Sequence, residues 1–344
     1  MDGRISLARI AAELGLSVPT VSRALRGTGR IGAETRRRVA AAAAAAGWKP
    51  RTPEPPAPAA VRPRLLAIAQ PVSGQGPANL TWPRVLRELG RLAAAGHDVT
   101  VERMGPQALA RWTDAVCGGA PPRADGVLLL QHHDPAQVAR LAVRMPVASV
   151  IYDYPGAPVD VAAPDNEAAG RLQAEHLLAL GHVRIGWLGW ELDAGWSWRR
   201  LGGFLSTLVR HGATPRRRDV LASTAADAGM ARQLVERALR RSRAGVTAWG
   251  TAGDHVAHRL QQRLAAAGLA VPGQVSLTGV DGLPPRSGLP ALVSVRMPVE
   301  EAAGEAVALL ERRIARPGGP PRLALLAPTL VAGSSTAPPP PAAT

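Results

Sequence analysis

The chain has 344 residues, a formal net charge of +15 and a single cysteine, Cys117. That length exceeds one small core and points to two or three structural units, while a lone cysteine excludes an intrachain disulfide and fits a reducing compartment. The charge is unevenly placed: residues 1–64 carry twelve Lys and Arg against four Asp and Glu, and the remainder carries 29 against 22. A basic excess crowded into one end suits contact with phosphates.

Leu7, Ile10, Ala11 and Leu14 recur at helical spacing and make one apolar stripe. Gly15 supplies a left-handed turn, and Ser17 is a good N-cap for a second helix. Pro19 then falls in the first turn, where its missing N–H costs little. Val21, Ala24 and Leu25 are spaced to pack inward, leaving Thr20, Ser22 and Arg23 outward. Gly32 begins a further turn, and Thr35 with Arg36 to Arg38 opens a third helix whose alanines Ala40 to Ala46 favour that state. A short basic helix-turn-helix over residues 1–50 is the layout of a module that docks in the major groove of duplex DNA.

The run Ile10-Ala11, Gly15-Leu16-Ser17, Thr20-Val21-Ser22-Arg23-Ala24-Leu25, Thr35-Arg36, Val39 and Gly47-Trp48-Lys49-Pro50 resembles the headpiece of the LacI/GalR family of bacterial transcription regulators. The resemblance implies that the second helix enters the major groove, that Val18, Pro19 and Arg23 read bases, and that Thr20 and Ser22 hold phosphates. Ser17, Arg30 and Thr35 complete the candidate DNA-contacting set. Val18 and Pro19 have no side-chain donors and offer only apolar contact, as to a thymine methyl; Arg23 alone is able to make a bidentate contact with guanine.

Residues 51–63 read RTPEPPAPAAVRP. The resemblance implies a hinge helix here, with a leucine wedged into the minor groove. Pro53, Pro55, Pro56 and Pro58 oppose a helix, and no leucine occurs before Leu65, so an extended tether reaching about 40 Å at ~3.1 Å per residue is expected.

From residue 64 onward short apolar runs alternate with helical patterns. Strands are expected at 65–69, 99–101, 126–130, 147–151, 185–188, 245–249 and 275–279. Helices are expected near 84–95, 106–117, 135–144, 167–180, 198–211, 227–241, 253–267 and 299–316. The alternation argues for an α/β fold with parallel sheets, whose ligands sit beyond the carboxyl ends of the strands. The same family resemblance continues through Asp165-Asn166, Gly170, Glu175-His176-Leu177, Leu180-Gly181-His182, Arg200-Leu201-Gly202-Gly203-Phe204, Gly279-Val280-Asp281 and Ser335-Thr336-Ala337-Pro338-Pro339. It implies a periplasmic-binding-protein-like (type I) core over 64–336, with three chain crossings between two subdomains. The expected division is 64–163 plus 292–320, then 164–291 plus 321–336, with 337–344 a disordered tail.

By that likeness Arg200 and Asp281 face a cleft and hold ligand hydroxyls or a carboxylate, the first with a fixed donor fork and the second with paired acceptors. Asp165 and Asp254 lie at strand-to-helix handovers and join the candidate effector set. The family commonly has Asn-Asp where this chain has Gly253-Asp254. Trp82, Trp187, Trp190, Trp196, Trp198 and Trp249 fall near expected strand ends and helix starts, where a flat ring suits a sugar; Trp82 is the best placed.

No dinucleotide fingerprint, phosphate-binding lysine loop or nucleophile elbow occurs, so no enzyme, cofactor or metal is expected. Asp254-His255-x-x-His258 has metal-like spacing but no evident third ligand, and reads as two solvated histidines. No membrane span or secretory signal pattern is seen, so a cytoplasmic protein is expected. The expectation is a repressor acting as a homodimer on a near-palindromic operator in double-stranded DNA, controlled by a small effector, a sugar or related metabolite. The alternatives are a repressor without ligand control and a sugar-processing enzyme.

Overall fold

The computed structural model describes residues 7–26, 31–46, 62–70, 81–191, 195–213, 215–224 and 227–341. Arg30 and residues 51–61 of the expected tether lie outside them, as does the question of a hinge helix. The chain divides into two compact units, Met1–Val61 and Arg62–Thr344.

In the first unit, α1 (Leu7–Leu14), α2 (Val18–Arg26) and α3 (Ala33–Ala45) surround Ile10, Ala11, Val21, Ala24, Val39 and Ala43. Gly15 takes φ +64° and turns the chain from α1 into α2. The stripe expected from spacing is therefore the core, with Leu7, Leu14 and Leu25 packed at its margin. The third helix starts two residues before Thr35.

The second unit contains two six-stranded sheets. The first comprises β1 (Leu65–Ala69), β2 (Val99–Arg103), β3 (Gly126–Leu129), β4 (Val147–Val150), β5 (Asp160–Pro164) and β11 (Leu323–Leu326). The second comprises β6 (Ile185–Gly189), β7 (Val220–Ala222), β8 (Ala248–Thr251), β9 (Ser276–Val280), β10 (Val293–Arg296) and β12 (Thr329–Val331). Their orders are β11-β5-β4-β3-β1-β2 and β12-β10-β9-β8-β6-β7, and only the β10–β12 pair is antiparallel. Most strands are apolar on both faces because helices cover both, as parallel sheets require.

The helices are α4 (Thr81–Ala94), α5 (Pro106–Cys117), α6 (Pro135–Arg144), α7 (Asn166–Ala179), α8 (Gly195–Arg210), α9 (Ala228–Arg243), α10 (Asp254–Ala266) and α11 (Val299–Ala315). The chain passes between the sheets after β5, after β10 and after β11, giving the three crossings the resemblance implies. Two assignments of the expected subdomain division are corrected. Val293–Arg296, placed with the first subdomain, pairs with β9 in the second sheet; Leu323–Leu326, placed with the second, pairs with β5 in the first. Both strands are only four residues long and sit beside crossings, so nothing in their own pattern reveals their sheet.

The expected disordered tail is corrected at its start. The Ala337 carbonyl accepts from His182 Nε2 at 3.0 Å and from the Ser276 hydroxyl at 3.0 Å, and the Ala337 N–H donates to Ser276 Oγ. His176 Nε2 lies 2.9 Å from the hydroxyl of Thr336.

Candidate functional site

On the first unit, the exposed edge of α2 begins with Val18, 42% exposed despite its apolar side chain. Ser17 accepts the Thr20 N–H at 3.3 Å, and its hydroxyl lies 2.8 Å from the Thr20 hydroxyl, so the pair caps the helix start. Pro19 and Arg23 are exposed, and Arg23 Nε donates to the Pro19 carbonyl at 3.3 Å, holding the guanidinium along the edge. Ser22 and Thr35 are half-buried. Arg36, Arg37 and Arg38 are exposed on α3. Val18, Pro19, Thr20, Ser22 and Arg23 thus share one short helix whose N-terminal peptide dipoles favour phosphate.

In the second unit, left-handed backbone marks the carboxyl ends of the strands. Among the described residues four non-glycines have positive φ: Gln131 (65°), Ile151 (80°), Glu191 (63°) and Asp281 (124°). They follow β3, β4, β6 and β9, two from each sheet. Such conformations cost on the order of 1–3 kcal/mol each and persist where surrounding structure holds them. Arg199 Nη2 donates to Asp153 Oδ2 at 2.6 Å across the junction between the sheets. Arg84 of α4 bonds Glu300 and the Met297 carbonyl, and its charge reaches Asp281.

Arg200 is buried under this junction. Its Nε donates to Asn166 Oδ1 at 2.8 Å, its Nη1 donates to the Ala252 carbonyl at 2.5 Å, and its guanidinium lies 4.6 Å over the Trp196 ring. Burial pulls its pKa down, and the charges of Asp281 and Asp254 oppose that. Asp281 is pushed upward by burial against the pull of Arg200, the Asp254 N–H and Arg84. Arg200 and Asp281 are therefore near enough for each charge to act on the other. Their opposite charges partly compensate each other.

Asp254 departs from expectation. It is fully buried; its Oδ1 accepts the Ser294 hydroxyl at 2.7 Å and its Oδ2 accepts the Leu283 N–H at 2.7 Å. A Cβ on Gly279 would sit 1.9 Å from Oδ1, so the missing side chain there lets the carboxylate turn inward. Asp254 holds the loop after β9 and is not presented to a ligand. Asp165 caps α7, accepting the Ala168 N–H at 2.9 Å. Trp82 is buried in the core of the first sheet and stacks on Tyr152, with centroids 6.3 Å apart and planes 14° apart.

Other site features escaped the sequence. Tyr152 is half-buried beyond β4, packed between Trp82 and His132, and burial raises its pKa. The solvated reading of His255 and His258 is also corrected. His258 is buried on the inner face of α10, and His255 packs edge-on to Trp190 at 5.5 Å. Burial pulls His255 down to about 4, helped by Arg200 and Arg259. Trp187, Trp249 and Trp190 all belong to the buried core cluster, Trp190 at its margin against His255, while half-buried Trp196 lies under the Arg200 guanidinium.

Residues 6–51 match the model of the bacterial regulatory proteins of the lacI family, and residues 174–336 match the periplasmic binding protein-like domain. The chain is 28% identical over 214 residues to the maltose regulon regulatory protein MalI of Escherichia coli, a match spanning 61% of this chain and 60% of that protein. It is 27% identical over 329 residues to the transcriptional regulator AscG of the same organism, spanning 89% and 90%. Among solved structures, the transcriptional regulator CelR–cellobiose complex superposes with a TM-score of 0.67 at 22% identity, covering 96% of this chain and 100% of that one. A helix-turn-helix joined to a two-sheet α/β core with charged groups between its strand ends defines a DNA-binding transcription regulator of bacteria. The chain joins a lacI-family helix-turn-helix segment to a periplasmic binding protein-like domain.

Proposed function

We propose that this protein is a repressor whose affinity for a near-palindromic operator is set by a neutral, polyhydroxylated metabolite, a sugar or a close relative, bound between the carboxyl ends of the two sheets. The observation that carries the reading is the buried Arg200–Asn166 pair, with the charge of half-buried, left-handed Asp281 acting on it, in the same chain as α2 with its exposed Val18-Pro19 edge. Arg200 and Asp281 bind hydroxyls; Trp190, Trp196 and Tyr152 provide flat walls. Closing the two lobes on the guest alters how two headpieces are presented, a coupling typically of ~1–3 kcal/mol. Two-fold related half-sites call for a homodimer. We place the protein in the cytoplasm, where its DNA is, and assign it no catalytic turnover. No helix among the described residues is long and apolar enough to cross a membrane.

The test is selection of bound sequences from a random duplex pool, with and without a panel of sugars, followed by calorimetry of the sugars on wild type and Arg200→Lys. A symmetric selected site whose retention changes with one sugar is the expected result. Absence of any enriched site rejects the reading. An enriched site indifferent to every sugar leaves the repressor without ligand control, which the inward-turned Asp254 and internally bonded Arg200 favour as second reading.

A further inference from the structure

The basic excess of the second unit is concentrated in one place. Residues 210–243 hold nine arginines against three acids, so this stretch accounts for nearly all of the surplus beyond residue 64. The three acids are already engaged. Asp227 caps α9 through the Met230 N–H, Glu236 pairs with Arg263, and Asp219 is 1% exposed beneath two arginines. Asp219 Oδ1 accepts Arg241 Nε at 2.7 Å and its Oδ2 accepts Arg184 Nε at 3.1 Å. Arg184 Nη1 also donates to the Ala244 carbonyl, and Arg241 Nη2 is buried without a hydrogen-bond partner.

These bonds gather three chain segments at the amino-terminal edge of the second sheet. Arg184 precedes β6, Arg216 to Arg218 precede β7, and Arg240 and Arg241 end α9 before β8. Strands β7, β6 and β8 are neighbours, so the three segments lie side by side. Arg216, Arg217, Arg218 and Arg240 are exposed around the buried Asp219 anchor. The surface lies at the end of the strands opposite to Arg200 and Asp281, so the proposed ligand does not account for it.

We propose that this edge is a docking surface for the phosphate backbone of a second DNA duplex, distinct from the duplex read by α2. Arginine forks match phosphate oxygens, and a fixed Arg184–Asp219–Arg241 base removes part of the ordering cost. Residues 210–243 contain no Phe, Tyr or Trp, so the patch lacks the aromatic anchors of a protein hot spot and the stacking platforms of a single-strand binder. Charge without such groups reads backbone and not sequence.

The experiment uses the full chain saturated with an unlabelled selected operator, titrated with a labelled random-sequence duplex. The variant combines Arg216→Gln, Arg217→Gln, Arg218→Gln and Arg240→Gln. A control removes the same charge from exposed Arg87, Arg111, Arg144 and Arg316. The patch variant should keep operator binding, weaken capture of the second duplex at least tenfold, and lower its log K versus log salt slope by about 3 to 4; the control should do neither. Equal losses in both variants, or no capture by wild type, overturn the proposal. So does preferential binding of poly-glutamate or of anionic phosphatidylserine vesicles, which would assign the patch to an acidic protein or a membrane. If no operator is selected, the comparison is read on random duplex alone, so failure of the repressor reading is seen separately.

Discussion

Asp254 and His255 are neighbours at the start of α10 and titrate in opposite senses. Burial and the charge of Asp281 raise Asp254 from 3.8 to about 7, against the pull of Leu283, Ser294 and Arg200. Between about pH 4 and 7 the folded chain therefore holds a proton that the unfolded chain lacks, and stability falls as pH rises through that window. His255 is lowered from 6.5 to about 4 by burial with Arg200, Arg259, His258 and Arg286, so over that range the unfolded chain holds the extra proton and stability rises with pH. The two slopes offset each other up to about pH 6.5. Relative to wild type, Asp254→Asn should make stability climb more steeply from pH 4.5 to 6.5, and His255→Gln should make it fall. Urea unfolding across that range reads both, and profiles parallel to wild type would remove the linkage. On the exposed edge of α2, Arg23 carries the guanidinium expected to read guanine. Arg23→Ala should relax preference at one base pair at about 1–3 kcal/mol; a uniform loss across all sequences in a binding selection would reduce Arg23 to a phosphate contact.

Elements show how far local pattern carries. Helices α4 to α11 and strands β1, β3, β4, β6 and β9 were legible because each has its own periodicity or a β-branched apolar run. Strand β5 (DVAAP) is rich in alanine, and β7, β10, β11 and β12 span three or four residues, so their pairing depends on partners far along the chain. The site was half legible for the same reason. Motifs indicated Arg200 and Asp281, but the direction of the Asp254 carboxylate depends on Gly279, and the place of Tyr152 on the left-handed Ile151 before it. The α7–α8 crossing is a second contact that glycines alone permit. A Cβ on Gly203 would lie 2.0 Å from the Glu167 carbonyl oxygen, and one on Gly170 would lie 1.9 Å from that of Arg200. Both obstacles are backbone, so the helices must separate. Gly203→Ala should destabilise the core by about 1–3 kcal/mol and weaken ligand binding by displacing Arg200; Gly202→Ala, with open space around it, should do neither. Thermal unfolding with calorimetry distinguishes them.

At the scale of the whole molecule, the two units differ greatly in how much apolar surface each buries. Among the described residues, the first rests on six buried side chains, none larger than isoleucine and three of them alanine. The second is built on three clusters with many fully buried Leu, Val and Trp residues. Burial contributes roughly 25 cal/mol per Å², so the small unit has little margin over the entropy of ordering its helices. Each unit has its own buried cluster among the described residues. Two unfolding transitions are therefore expected in the absence of DNA, a weak early one and a cooperative late one. Saturation with an operator duplex should raise the first and leave the second in place, because a ligand stabilises the state that binds it. Deleting residues 1–61 should remove the early transition and all sequence-specific DNA binding while keeping the late midpoint and the sugar response. A deletion that lowered the late midpoint by several degrees would show that the headpiece helps to hold the core.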